Sequence, residues 1–304
     1  MVSLDLPAED GHSIRVCRWR PKEAPTAIIQ ILHGLGEHAG RYERFAKAGV
    51  DAGHAVFAHD HRGHGSRAET RGHFADTRGW NCVIADVASV NTAIRIEYPG
   101  RPVVLFGHSM GSYIAQAYAM RHPQDLDLLI LSASTSAAAL EVRSGNLLAT
   151  MLAAFAPRHQ SGLLNYLGFN AFNRPFKPAR TPMDWLSRDQ SEVDKFIADP
   201  LCGGPYSNAL WRDLTGGLIE IHARKALDRI PAALPILITG GSKDPVGGEK
   251  GMRRLYAAYA STGHNQLTLK LYEDGRHEML NETNRDNVTA DILDWIRRNI
   301  DTVS

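Results

Sequence analysis

Ser109 sits in Gly107-His108-Ser109-Met110-Gly111, a Gly-x-Ser-x-Gly pattern that follows the apolar run 102–106 (PVVLF) and opens a helical segment. That setting gives the glycines a physical role. A sharp strand-to-helix turn leaves no room for a side chain at either flank. Such a turn holds the serine hydroxyl out beside the positive end of the next helix. A hydroxyl is a weak nucleophile until a base takes its proton, and the base needs a partner that fixes its tautomer. The chain order expected with this turn is serine, acid, histidine. Asp244 follows 235–241 (PILITGG) and His277 follows 267–273 (LTLKLYE). Both sit at the expected carboxyl ends of strands, where open α/β sheets carry their sites. Ser109, Asp244 and His277 are therefore the candidate triad. The alternative for Asp244 is a turn former ahead of Pro245.

Other titratable residues fit the pattern less well. His222 and His264 do not follow a strand, so packing or surface roles are expected. Asp228 precedes its strand, Asp213 lies in a helical stretch, and Asp274 suits the turn before His277. The oxyanion formed on an attacked carbonyl needs donors already in place. The backbone N–H of Met110 is one candidate. The other is the N–H of Leu35 in 33–38 (HGLGEH), where two glycines let the backbone approach a substrate. Glu37, His38, Arg41, Tyr42, Asp60, His61, Arg62 and His64 flank these loops and are read as hydrogen-bonding and ion-pairing residues.

The elements that must position these residues are legible in outline. Residues 13–21 alternate after an Asp10-Gly11 turn and suggest an antiparallel strand. Buried strands are expected at 26–32, 54–58, 102–107 and 126–133, with helices at 42–52, 80–97 and 110–121. Residues 136–229 are helical in character. They include Leu147, Leu148, Met151, Leu152 and Phe155, stopped by Pro157, and a Pro-rich stretch at 173–185. Strands at 235–241 and 267–273 then alternate with helices near 248–260 and 287–300. The expected fold is α/β: a mostly parallel central sheet flanked by helices, formed by 1–135 and 230–304, with 136–229 inserted as a helical unit.

Composition narrows the function classes. The 304 residues carry a net charge of +1, which gives no footprint for nucleic acid. Cys17, Cys82 and Cys202 lie far apart, so neither a disulfide framework nor a zinc site is expected, and no metal or cofactor is required by the chemistry. The N-terminus has no apolar core of signal-peptide length, and the longest charge-free stretch, 102–120, is too polar to span a bilayer. A soluble, cytoplasmic protein is expected.

HGLGEHAGRY (33–42), FAHDHRGHGSR (57–67), GHSMGS (107–112), the Asp244 loop and GRHE (275–278) together resemble the α/β-hydrolase superfamily, and within it the monoacylglycerol lipase and lysophospholipase-like branch. The insertion resembles the family's cap through 172–189 (FNRPFKPARTPMDWLSRD) and 199–208 (DPLCGGPYSN). The resemblance implies a triad on Ser109, Asp244 and His277, an oxyanion hole from Leu35 and Met110, and a helical cap. Ser112 departs from it, standing where many relatives have a second glycine; it is small enough that no loss is expected.

The expected activity is carboxylic-ester hydrolysis through an acyl-enzyme on Ser109. The apolar insertion suggests an acyl-chain site, hence monoacylglycerol or lysophospholipid as substrate and water as second reactant. Leu148, Met151, Leu152 and Phe155 are candidates to line that site or to touch a membrane transiently; simple packing of the cap is the alternative. A peptidase, lactonase or thioesterase with the same triad stays open, as does a non-catalytic binding protein on the same scaffold.

Overall fold

Runs of branched aliphatic residues make the centre of the sheet. β3 (Ile28–Leu32), β4 (Ala55–His59), β5 (Val103–His108), β6 (Leu128–Ser132) and β7 (Ile236–Gly241) are buried at every residue in the computed structural model. A sheet covered on both faces requires this. The structure describes residues 1–136, 139–169, 171–223 and 225–300. β1 (Val2–Pro7), β2 (Ser13–Trp19) and β8 (Leu267–Tyr272) complete an eight-stranded sheet of order β1-β2-β4-β3-β5-β6-β7-β8. The β1/β2 and β2/β4 pairs are antiparallel and the rest parallel. β1 was not expected from the sequence. It is an exposed edge strand whose order comes from its hydrogen-bonded partner, Val2 opposite Arg18 through Pro7 opposite Ser13.

Side chains alternate across the sheet and so feed two cores. Leu105, Leu129 and Ile236 meet α2 (Gly79–Glu97), α3 (Met110–Arg121) and α8 (Gly248–Ala260). Val104, Phe106 and Ile130 meet α1 (Glu43–Asp51) and α9 (Arg285–Ile300). Between β6 and β7 the chain forms α4 (Ala139–Phe155), α5 (Gly162–Phe169), α6 (Gln190–Ala198) and α7 (Asn208–Ile221). α7 carries this insertion against α2 and α3 as well as α4. Among the described residues no helix is long and apolar enough to cross a membrane.

Four histidine rings are buried where the carboxyl ends of β3 and β4 meet: His33, His59, His61 and His64. His61 lies 4.3 Å from His33 and 4.8 Å from His59 between ring centroids. Burial holds His59 and His64 at about 3 and His61 well below its ordinary value. Unfolded, each ring titrates near 6.5. Between those values the unfolded chain binds protons that the native state refuses, so stability falls as pH drops below about 6.5. At pH ~5 each excluded imidazole costs about 2 kcal/mol. Urea unfolding at neutral and mildly acidic pH should show this slope, and His59→Leu should flatten it.

Candidate active site

The turn after β5 is strained. Ser109 has φ 52° and ψ −119°, a left-handed conformation that costs a non-glycine residue on the order of 1–3 kcal/mol. Its N–H donates to the Ser132 carbonyl at 2.9 Å, which ties the turn to β6. A Cβ on Gly107 would lie 2.4 Å from the Gly111 oxygen, and one on Gly111 would lie 2.1 Å from the Leu32 oxygen. Those obstacles are backbone, which cannot step aside. Gly111→Ala is expected to destabilise the protein by about 1–3 kcal/mol by overpacking. It should also slow fluorophosphonate labelling of Ser109, because the end of β3 leads into the loop that carries Leu35. Chemical denaturation and labelling rates measure the two effects.

His277 follows β8 and Asp244 follows β7, so the sheet delivers both to the same edge as Ser109. His277 Nε2 lies 2.9 Å from Ser109 Oγ, and His277 Nδ1 lies 2.9 Å from Asp244 Oδ1. His277 and Asp244 are buried and Ser109 is half-buried. A carboxylate facing Nδ1 keeps the proton there and leaves Nε2 free to accept the serine proton. Burial opposes the imidazolium, but the charge and hydrogen bond of Asp244 outweigh it and raise His277 above its ordinary value.

The loop holding Leu35 is fixed by side chains. His33 Nε2 accepts the His61 N–H at 2.9 Å, so its Nδ1 carries the proton and donates to the Gly34 carbonyl at 2.8 Å. That bond turns the Gly34 carbonyl toward His33 and the Leu35 N–H, opposite it across the trans peptide, the other way. Gly34 adjoins the serine; a Cβ there would lie 3.4 Å from Ser109 Cβ. Met110 is the first residue of α3, so its N–H has no intrahelical acceptor.

Beneath the loop lies a buried ion network. Glu37 accepts from the Gly34 N–H at 2.6 Å, from Tyr42 Oη–H at 2.9 Å and from Arg41 at 2.8 Å. Arg41 also reaches Glu278, next to His277, with two bonds of 2.7 and 2.8 Å. Burial alone would raise Glu37, yet Arg41 holds it at about 2. Asp60 accepts the Ala39 N–H at 2.8 Å and pairs with Arg15. Arg62 joins Asp86 and Asp10. Sequence reading assigned these residues to structural bonding, but Glu278 as the second partner of Arg41 was not foreseen.

Of the rival groups, His264 packs on Tyr259 and meets Thr262, His222 faces the Leu218 carbonyl, and Asp213 pairs with Arg212. Asp274 occupies the left-handed turn before His277 with φ 55°. His38, Asp199 and Cys202 place potential ligand atoms within 4.8 Å of one another. His38 Nδ1 accepts the Gly40 N–H, so Nε2 carries the proton that Asp199 accepts at 3.0 Å. The cluster is thus bonded as a latch between loop and insertion, and its histidine has no lone pair left for a metal.

The stripe on α4 divides. Leu148 and Leu152 pack against the core, whereas Met151 and Phe155 point outward, Phe155 at 93% exposure. Ala149 and Ala153 take the innermost positions. The four candidate acyl-binding residues therefore do not share one face. Near the triad the insertion instead supplies Trp185, 4.9 Å from His277 between ring centroids, backed by Phe172 and Phe169. Sequence reading missed this group. Its only signal was the aromatic content of residues 169–185.

A serine on such a turn, with its histidine and carboxylate on successive strand ends of a mostly parallel sheet, defines the α/β-hydrolase class of serine hydrolases. Comparison with known proteins narrows this: the family described as serine aminopeptidase, S33, matches residues 23–284, and the chain belongs to that family. It is 30% identical to monoglyceride lipase of Mus musculus over 97% of this chain and 91% of that protein. It is also 30% identical to monoacylglycerol lipase of Mycolicibacterium smegmatis, over 91% of this chain and 90% of that protein. A solved carboxyl esterase of Bacillus coagulans superposes with a TM-score of 0.92 at 27% identity, covering 98% of both chains.

Proposed function

We propose that the protein hydrolyses monoacylglycerols or lysophospholipids through an acyl-enzyme on Ser109. The observation that carries this reading is the chain of two 2.9 Å contacts from Ser109 through His277 to buried Asp244, set under an aromatic insertion. His277 takes the hydroxyl proton as Ser109 Oγ bonds to the ester carbon. The oxyanion is held by the N–H groups of Leu35 and Met110. His277 then protonates the leaving alcohol as the ester C–O bond breaks. Water, deprotonated by the same histidine, attacks the acyl-enzyme and releases the fatty acid with Ser109 restored.

Residues 136–229 act as a cap that covers the acyl chain. The outward side chains Leu147, Met151 and Phe155 of α4, with Leu163, Tyr166 and Leu167 of α5, support docking on a lipid surface from which substrate is drawn. Three free thiols support a cytoplasmic setting. An aminopeptidase must hold a substrate ammonium with a carboxylate, and the two acidic groups behind the triad, Glu37 and Glu278, both already have their oxygens engaged by Arg41. That favours ester over aminopeptidase chemistry. Purified enzyme is expected to release fatty acid from monoacylglycerols or lysophospholipids and to leave aminoacyl anilides intact. Cleavage of the anilides alone overturns the reading.

A further inference from the structure

The insertion presses a side chain against the catalytic base itself. We propose that the Trp185 indole stabilises the imidazolium of His277, so that the insertion tunes the base as well as covering the substrate. This rests on the reading of His277 as the base. The two ring centroids are 4.9 Å apart with planes inclined at 46°. An aromatic ring attracts a cation within about 6 Å of its centroid, and tryptophan does so best. Trp185 is buried, so solvent screens little of that attraction.

The contact is built rather than incidental. Phe172 lies 4.9 Å from the Trp185 ring between centroids, and Asn173 Oδ1 accepts the main-chain N–H of Trp185 at 3.0 Å. The flanking segment is bonded directly to the histidine loop. The His277 N–H donates to the Trp185 carbonyl at 3.4 Å and the Glu278 N–H to the Leu186 carbonyl at 2.8 Å. Ser187 Oγ–H reaches the Asn281 carbonyl at 2.8 Å, and Arg188 pairs with Glu282 at 2.9 Å. The indole is thereby indexed to the imidazole it touches.

The other groups around His277 leave this role open. His108, 4.9 Å away, is held at about 4 by burial and stays neutral. Asp244 faces Nδ1. Glu278 and Glu37 are both paired with Arg41, and Arg276 lies over Phe176. Among the described residues Trp185 is the aromatic ring of the insertion that meets His277.

Removing the indole has two opposite consequences. Loss of the ring's attraction lowers the pKa of His277, whereas admission of water relieves desolvation and raises it. The direction of the shift therefore decides between stabilisation by the ring and mere covering. The readout is the acid limb of the rate at which an alkyl fluorophosphonate labels Ser109, which reports the base in the free enzyme. Trp185→Leu is expected to lower the apparent pKa by about 0.4–1.5 units, and Trp185→Phe by less. Enzyme grown with tetrafluorotryptophan keeps the shape, weakens the ring's attraction, and should shift the same way even if the leucine variant does not fold. An unchanged or raised pKa in these proteins overturns the proposal. Ser109→Ala is the separate control: labelling that survives it sinks the triad reading itself.

Discussion

Ser109→Ala is expected to lower kcat for ester hydrolysis by about 10⁵–10⁶-fold while the protein stays folded. On the proposed reading the variant keeps the Leu35 and Met110 donors and the insertion, so ester binding and oxyanion stabilisation should persist. What it loses is the atom that becomes acylated. Water must then attack directly, without the 2.9 Å pre-alignment that Ser109 Oγ has with His277. His277→Ala should cost nearly as much, and the double variant little more, because nucleophile and base act as one unit. Asp244→Asn should cost about 10⁴-fold for a different reason. An amide N–H facing Nδ1 makes that nitrogen an acceptor, so the proton moves to Nε2 and the ring can no longer accept from the serine. Fatty-acid release gives kcat, and fluorophosphonate titration separates the cases. The alanine variant at Ser109 should not label, and the asparagine variant should label slowly. Undiminished hydrolysis by Ser109→Ala removes the acyl-enzyme mechanism.

The sites of Ser109, Asp244 and His277 were legible because each follows a short apolar run. A strand buried on both faces must be apolar throughout, and its end is marked where polar residues resume. The Glu37–Arg41–Glu278 network was less legible. Arg41 and Glu278 are 237 residues apart, and only the sheet order brings them together. β1 escaped for another reason: an exposed edge strand takes its order from its neighbour rather than from its own pattern. The α4 stripe misled because that helix is apolar on several faces, so periodicity could not choose among them. Close approach to α7 selected the small side chains Ala149 and Ala153 for the inside and left Met151 and Phe155 outside. Trp185 closes the Pro-rich stretch 173–185, where periodicity carries no information about what a ring will touch.

Arg41→Met is expected to cost about 3–5 kcal/mol at neutral pH. The arginine side chain is 11% exposed and its partners Glu37 and Glu278 only 5% and 7%. Methionine fills similar volume but leaves two buried carboxylates without a cation. The pH dependence should reverse. In the native protein Arg41 outweighs burial and holds Glu37 at about 2, below the unfolded value near 4.5. Glu37 therefore adds stability above about pH 4.5 and loses that contribution as pH falls toward 2. In the variant Glu37 loses its cation and keeps the Gly34 N–H, the Tyr42 hydroxyl and the buried His33 and His108 beside it, so burial should raise the folded pKa above the unfolded one. Lowering the pH through that raised value protonates Glu37 and recovers stability. The gap between the two proteins should be widest at neutral pH and narrow on acidification. Urea midpoints across that range measure it; a gap independent of pH rules out the charge argument. Activity should fall with the charge as well, since a protonated Glu37 accepts the Gly34 N–H more weakly and releases the loop that presents Leu35.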